Sequence, residues 1–151
     1  MCGSAAGLNI ALPGPVGESN FYTLRPRGCI GALAQTETGL LQQLAAILAT
    51  GNHAVVEIPL PDLPPEVAAC VSVVAAVDPV SDLRAVLFQG DPAGLLTLQH
   101  KIAARDGAII SIQAVVAPGD DYDLDRLLEE RSVSTNTAAA GGNASLLAIG
   151  A

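Results

Sequence analysis

The chain has 151 residues, of which 50% are hydrophobic and 15% are charged, and its formal net charge is -8. A chain of this length and apolar content can bury a core of its own, so one folded domain is expected and extensive disorder is not. Seven Lys and Arg against fifteen Asp and Glu, with two Phe, two Tyr and no Trp, argue against nucleic acid as a partner.

The cysteines also limit the class of protein. Cys2, Cys29 and Cys70 are scattered and have no paired spacing, which favours a reducing, cytoplasmic compartment. No apolar run approaches the roughly 20 residues that a membrane-spanning helix needs. No basic segment precedes a long apolar stretch near Met1. We therefore expect neither export nor a transmembrane segment.

The apolar pattern predicts strands that alternate with helices. A helix is expected after Thr36, whose hydroxyl can cap the first turn, with Gly51 as its stop signal. Another is expected from Asp91 to about Arg105, because Pro92 has the backbone angle of a first helical residue. A short helix at 66–69 and a last helix from Tyr122 to Glu130 complete the set. Buried or half-buried strands are expected near residues 21–24, 29–33, 54–58, 71–77, 84–88 and 108–115.

This order predicts an α/β fold, a Rossmann-like parallel sheet flanked by helices. An extended N-terminal segment or linker is expected at residues 1–20, the Rossmann-like domain at 21–130, and a Gly/Ala-rich C-terminal tail at 131–151. The tail has too few large apolar residues for a core of its own. If it is ordered, it must pack on another surface.

No motif predicts a cofactor site in this chain. The Gly14–Ser19 stretch has the glycines of a phosphate loop but not its Gly-Lys-Ser/Thr ending, so a turn is favoured. No G-x-G-x-x-G follows any predicted strand, and the Rossmann-like order therefore comes without its dinucleotide fingerprint.

The residue types that carry catalysis or bind metals also favour structural roles. His53 and His100 have no carboxylate or thiol at metal-ligand spacing, and the cysteines show no activating neighbour. The acidic residues of 120–130 lack the glycine and terminal Glu of a calcium loop, so a solvated helix N-terminus is the better interpretation. We predict no catalytic and no metal-binding residues.

Several stretches together resemble the C-terminal region of the long proline utilization A (PutA) enzymes. The resemblance runs from about Pro13 to Gly150 and is most specific in the tail. The segments that carry it are Gly14–Asn20 with Leu24–Arg27, Gln43–Gly51, Ala103–Gly107 and Glu130–Leu146.

The resemblance implies a function for a chain that holds neither catalytic domain of that family. In the parent enzymes, one domain oxidises proline with FAD, another oxidises glutamate semialdehyde with NAD, and a tunnel joins the two sites. This chain would be an additional aldehyde-dehydrogenase-like domain without catalytic machinery or cofactor, and its partners would be those catalytic domains, in the same chain or in a neighbouring subunit. The parent is expected in the cytoplasm or peripherally at the inner membrane.

The tail would then pack over the dehydrogenase module and help to roof the tunnel. Small residues permit close backbone approach, and polar ones can anchor the tail by hydrogen bonds. The predicted docking residues are Ser134, Asn136, Thr137, Gly141, Gly142, Asn143 and Ser145. A stand-alone nucleotide-binding domain and an oligomerisation domain remain as alternatives.

Overall fold

The computed structural model of the protein describes residues 6–60, 62–115 and 120–137. In these ranges the chain forms eight strands, three α-helices and one 3₁₀ helix. The elements are, in chain order, β1 (Asn9–Leu12), β2 (Glu18–Pro26), β3 (Cys29–Ala34), α1 (Glu37–Ala49), β4 (His53–Val56), α2 (Pro65–Ala68), β5 (Val71–Val73), β6 (Leu83–Gln89), α3 (Pro92–Ala103), β7 (Ser111–Val115), the 3₁₀ helix (Asp125–Leu127) and β8 (Leu128–Asn136).

Five of the strands form a parallel sheet in the order β5-β4-β3-β6-β7. Helix α1 connects β3 to β4, and α3 connects β6 to β7 on the other side of β3, as in a doubly wound α/β fold. The predicted Rossmann-like parallel sheet flanked by helices is confirmed. No helix in the described ranges is long and apolar enough to cross a bilayer.

The two long helices begin where their capping residues predict. The hydroxyl of Thr36 accepts a hydrogen bond from the Gly39 N–H at 3.1 Å, and the Asp91 carboxylate accepts one from the Gly94 N–H at 2.7 Å. Gly51 follows α1 with a φ of 73°, which a residue with a side chain rarely adopts. These contacts satisfy backbone groups that a helix end leaves without partners.

The core has two layers, one on each face of the parallel sheet. One face packs against α1 and the other against α3, which is why the central strands are apolar on both sides. The layer with α1 contains Ile30, Ala32, Leu40, Leu44, Ile47, Ala54, Val56, Ala85, Leu87, Val115, Tyr122 and Leu127. The layer with α3 contains Cys29, Val55, Val77, Leu83, Val86, Phe88, Leu98 and Ile102.

A second, antiparallel sheet has the order β1-β2-β8. The helix predicted from Tyr122 to Glu130 is wrong: only Asp125–Leu127 is helical, and from Leu128 the chain pairs with β2 along nine residues. Local leucine spacing suggested a helix, but main-chain pairing with a strand about 110 residues earlier decides the conformation.

The strands cross both limits of the predicted domain division. Strand β2 begins at Glu18, before residue 21, and β8 runs through residues 130 and 131 without a break. The division into linker, domain and tail stays a prediction.

The two sheets meet at the buried side chain of Asn52. Its Oδ1 accepts a hydrogen bond from the Gly28 N–H at 2.8 Å, at the turn between β2 and β3. Its Nδ2 donates to the Leu127 carbonyl at 2.9 Å, just before β8, and to the Thr50 hydroxyl at 2.7 Å. With 4% exposure, Asn52 bonds to groups that water cannot readily reach.

Replacement of this residue tests the junction. We expect Asn52→Ala to lower the free energy of unfolding by about 2–3 kcal/mol, because it leaves buried backbone groups without partners. Urea unfolding followed by circular dichroism measures the loss. The matched control is Asn9→Ala on the exposed edge strand β1, which should change stability little. Equal stabilities for the two variants would contradict the assigned role.

Candidate functional site

A crevice of about 330 Å³ opens at the carboxyl end of the parallel sheet, between β3 and β6. Helices on opposite faces of the sheet follow these two strands, so this is the switch point at which open α/β sheets bind ligands. Ala32, Leu40, Phe88 and Leu98 are among the apolar residues that line it. The location suits a ligand, and the surrounding polar groups decide which kind.

The N-terminus of α1 at this crevice is covered by side chains of the chain itself. The Thr36 hydroxyl donates a hydrogen bond to Oε1 of Gln89 at 3.0 Å while it accepts one from Gly39. A Cβ atom on Gly39 would lie 1.9 Å from Oε1 of Gln89, so that amide rests directly on the first turn. Dinucleotide phosphates bind at such a helix start in Rossmann folds, and here Gln89 occupies the position.

The N-terminus of α3 carries a carboxylate. Asp91 accepts hydrogen bonds from the Gly94 N–H at 2.7 Å and from Nε2 of Gln35 at 3.1 Å. The hydrogen bond from Gly94, followed by that from Gln35, holds the pKa of Asp91 below its ordinary value. The ionised carboxylate repels an anion, so neither helix start offers a phosphate site.

The rim of the crevice is acidic on balance. Glu57 Oε1 accepts a hydrogen bond from the Val77 N–H at 2.8 Å, which commits that oxygen to the fold. Lys101 Nζ lies 3.8 Å from Asp78 Oδ1, and both side chains are partly exposed. A pair of this kind adds little stability, but it leaves no unpaired cation at the rim to hold a phosphate.

A buried hydrogen-bond network attaches residues 120–127 to the carboxyl end of the parallel sheet. Gln43, with no exposed surface, donates through Nε2 to the Leu33 carbonyl at 3.0 Å and to the Tyr122 hydroxyl at 2.8 Å. The Tyr122 hydroxyl donates in turn to the Phe88 carbonyl at 3.2 Å. Burial raises the pKa of Tyr122, so the hydroxyl keeps its proton. The network directs residues 120–127 toward β8.

Gln43 and Gln89 were not singled out from the sequence. Gln89 bonds to Thr36, which lies 53 residues earlier in the chain, and Gln43 bonds to Tyr122, which lies 79 residues later. Gln43 interrupts the apolar face of a predicted helix, and that was the one available signal. Glutamines are common on exposed helix faces, which is why the signal is weak.

The described cysteine and histidine residues, Cys29, Cys70, His53 and His100, lie outside the crevice. Cys29 is 8% exposed, and burial, followed by the nearby Asp82 carboxylate, raises the pKa of its thiol to about 11. A thiol with that pKa is protonated at neutral pH and is a poor nucleophile. His53 shares a hydrogen bond of 2.8 Å with the Ser72 hydroxyl, and His100 lies exposed on α3. In residues 6–60, 62–115 and 120–137, no three His, Cys, Asp or Glu side chains are placed to hold a metal ion.

Three of the predicted docking residues lie at the end of β8. Ser134 contacts Asn20 through its hydroxyl, Asn136 pairs with Glu18, and the Thr137 N–H donates to the Gly17 carbonyl at 2.7 Å. The other four, Gly141, Gly142, Asn143 and Ser145, lie outside the described residues. Docking by any of the seven stays a prediction.

The β1-β2-β8 sheet exposes apolar side chains on both faces. Ile10 and Leu12 lie on the same face of β1 and are 43% and 42% exposed. Phe21 and Val133, paired across β2 and β8 on the opposite face, are 42% and 37% exposed. Single exposed apolar residues are common, but a three-stranded sheet that exposes apolar side chains on both faces is unusual for an isolated domain.

Comparison with known proteins gives the relationship of the chain. No protein-family model matches it. The chain is 43% identical to the bifunctional protein PutA of Rhizobium meliloti, over 97% of its own length and 13% of that protein. It is 44% identical to bifunctional protein PutA of Salmonella typhimurium, over 96% of its own length and 12% of that protein. The chain is homologous to one segment of PutA. The resemblance expected from the sequence is confirmed, and the chain spans about an eighth of these relatives.

Solved structures agree with this relationship. A variant of PutA from Bradyrhizobium japonicum aligns with a TM-score of 0.59 and 28% identity, over 73% of this chain and 14% of that one. The indole-3-acetaldehyde dehydrogenase AldA of P. syringae aligns with a TM-score of 0.57 and 18% identity, over 71% of this chain and 26% of that one. The second alignment shows that the chain shares the fold of one part of an aldehyde dehydrogenase.

The raised pKa of Cys29 predicts a specific loss of stability in alkali. An unfolded thiol ionises near pH 9 and the folded one near pH 11, so between these values the unfolded chain binds fewer protons. The free energy of unfolding should therefore fall as the pH rises through this window.

Urea unfolding between pH 7 and pH 11 measures this effect in wild type and in Cys29→Ala. The difference between the two curves removes the contributions of the tyrosines and lysines, which both proteins share. Parallel curves for wild type and Cys29→Ala would contradict the prediction.

Proposed function

We propose that the chain is a non-catalytic module of a bifunctional PutA protein, in which it covers the aldehyde dehydrogenase module and the tunnel between two active sites. The observation that carries the proposal is the closed phosphate position at the switch point. Gln89 rests on the start of α1, and the ionised Asp91 caps α3. A Rossmann-like sheet that fills this position with its own side chains is suited to support rather than to hydride transfer.

The β1-β2-β8 sheet supports the covering role. Its two faces expose apolar side chains that would be buried if another domain packed against them, and burial contributes about 25 cal/mol for each Å² of apolar surface removed from water. Strand β8 ends at Asn136 beside β2, and Thr137 connects it to residues 138–151. Residues 138–151 would therefore follow a surface that itself needs a partner.

In this proposal the parent supplies the chemistry. It oxidises proline with FAD, oxidises the semialdehyde product to glutamate with NAD, and works in the cytoplasm or peripherally at the inner membrane. The chain itself binds neither cofactor. Its docking residues, Ser134, Asn136, Thr137, Gly141, Gly142, Asn143 and Ser145, would contact the dehydrogenase module in the same chain or in a neighbouring subunit. A cover of this kind limits the escape of a reactive intermediate into water.

The test uses the full-length parent with residues 138–151 deleted. The cut lies after Thr137, whose N–H still bonds to Gly17, so the pairing of β2 with β8 is kept. We expect NADH formation from proline to show a lag that the intact parent lacks, because the intermediate must first accumulate in bulk solution. The two half-reactions, each measured with its own substrate, should keep their rates.

Single substitutions refine this test. The Ser145→Ala variant removes a predicted docking hydroxyl, and Ser81→Ala removes an exposed serine in the turn before β6 as the matched control. A lag in the first variant and none in the second would support the assigned contact. Progress curves without a lag in the folded deletion variant would refute the covering role.

The alternatives give different results with the isolated chain. Saturable binding of NAD would favour a nucleotide-binding domain, against the filled phosphate position described above. A tight self-dimer in sedimentation equilibrium would favour an oligomerisation domain. We expect neither result.

A further inference from the structure

The crevice at the carboxyl end of the parallel sheet has room for a small organic molecule. Its volume is about 330 Å³, whereas an apolar protein cavity of about 150 Å³ already holds one benzene ring. The helix N-termini beside it are occupied by Gln89 and Asp91, which excludes a phosphate group. The space between the strands stays open for a ligand of another chemical class.

The walls of the crevice are mainly apolar. Ligand sites in proteins are usually lined in this way, with a few polar groups that fix the orientation of the ligand. The large apolar side chains that line this one are Leu33, Leu40, Ile58, Phe88 and Leu98. Burial against them would remove apolar ligand surface from water, so the walls favour a ligand with an apolar body.

The charged groups of the lining leave one carboxylate without a counter-ion. Glu57, Asp78 and Lys101 line the crevice, and Lys101 Nζ lies 3.8 Å from Asp78 Oδ1, so these two charges largely offset each other. Glu57 accepts a hydrogen bond from the Val77 N–H, but no cationic nitrogen of the described chain lies within 4.0 Å of its carboxylate. The lining therefore carries a net negative charge.

A second carboxylate and an aromatic ring add to this preference. Asp91 bonds to Gly94 and Gln35, both of which line the crevice. The ring of Phe88 reaches the same helix start, because a Cβ atom on Gly94 would lie 3.3 Å from its Cζ. Aromatic rings attract cations through their negative faces, and carboxylates attract them by charge. The polar groups thus favour a cation and disfavour an anion.

We propose that this crevice binds a small organic cation, in which an ammonium group is attached to an aromatic or branched apolar body. The apolar body would lie between Leu40 and Leu98, and the ammonium group would lie near Glu57 and Phe88. The inference goes beyond the covering role and is independent of it, because the crevice belongs to the parallel sheet rather than to the β1-β2-β8 sheet or the tail.

The test compares three naphthalene compounds that differ in charge: naphthylmethylamine, which is protonated at neutral pH, naphthylmethanol, and naphthoate. Each is titrated into the isotope-labelled chain, and the amide shifts in the NMR spectrum give both the affinity and the location. We expect the amine to bind about fivefold more tightly than the alcohol, a ratio that one exposed ion pair or cation–π contact supports. Naphthoate should bind more weakly than the alcohol.

Two variants locate the ligand. Glu57→Gln keeps an acceptor for the Val77 N–H and should bring the affinity of the amine close to that of the alcohol. Thr97→Trp places an indole ring on an exposed position of the lining and should weaken both compounds about tenfold, because the ring would occupy their volume.

Matched controls lie outside the lining. Glu66→Gln removes a carboxylate from α2, and Leu96→Trp adds an indole ring to an exposed position of α3. Both should bind the amine as wild type does, and circular dichroism should show that all variants fold.

Three results would overturn the inference. They are equal affinities for the amine and the alcohol, an affinity for naphthoate that matches that of the amine, and unchanged amine binding in Glu57→Gln or Thr97→Trp. The absence of saturable shifts with all three compounds would also overturn it. None of these outcomes affects the lag test, so the covering role is tested separately.

Discussion

The side chain of Asn52 joins the two sheets, and the position of the second sheet depends on it. One amide bonds the turn before β3, the end of α1 and the carbonyl that precedes β8. Arg27 reinforces the junction through its N–H to the Leu127 carbonyl and its Nε to the Leu128 carbonyl. A compact side chain with an acceptor and two donors can satisfy these three groups in a space that excludes water.

The junction relates the fold to the proposed function. The parallel sheet has a two-layer core of its own, whereas the β1-β2-β8 sheet exposes apolar residues on both faces. Fixing the second sheet to the first presents those faces at a defined angle, without the entropy cost of ordering a free hairpin on binding. A covering module requires a rigid support and a sheet whose exposed apolar faces can contact a partner.

The two ends of the strands in the parallel sheet differ in chemistry. At the carboxyl end, side chains of the chain itself occupy the helix N-termini, and the rim of the crevice is acidic. At the amino end, arginines and carboxylates line a groove beside the exposed Ile109. The end of an α/β sheet that customarily binds ligands is thus closed to phosphates.

The sequence by itself determined the parallel sheet, the limits of α1 and α3, and the relationship to PutA. These follow from local signals: apolar runs, the caps Thr36 and Asp91, and stretches of matching residues. The absence of a glycine fingerprint could also be seen locally, and it agrees with the filled position at the start of α1.

Only the tertiary structure decided the conformation of residues 122–136 and the contents of the switch point. The leucines of 124–128 fit a helix, yet pairing with β2 and the hydrogen bonds of Tyr122 impose a strand and a single 3₁₀ turn. Gln89 meets Thr36, and Asn52 meets Leu127, across 53 and 75 residues of chain. Contacts at such separations leave no periodic or local trace in a sequence, because they depend on how completed elements pack against one another.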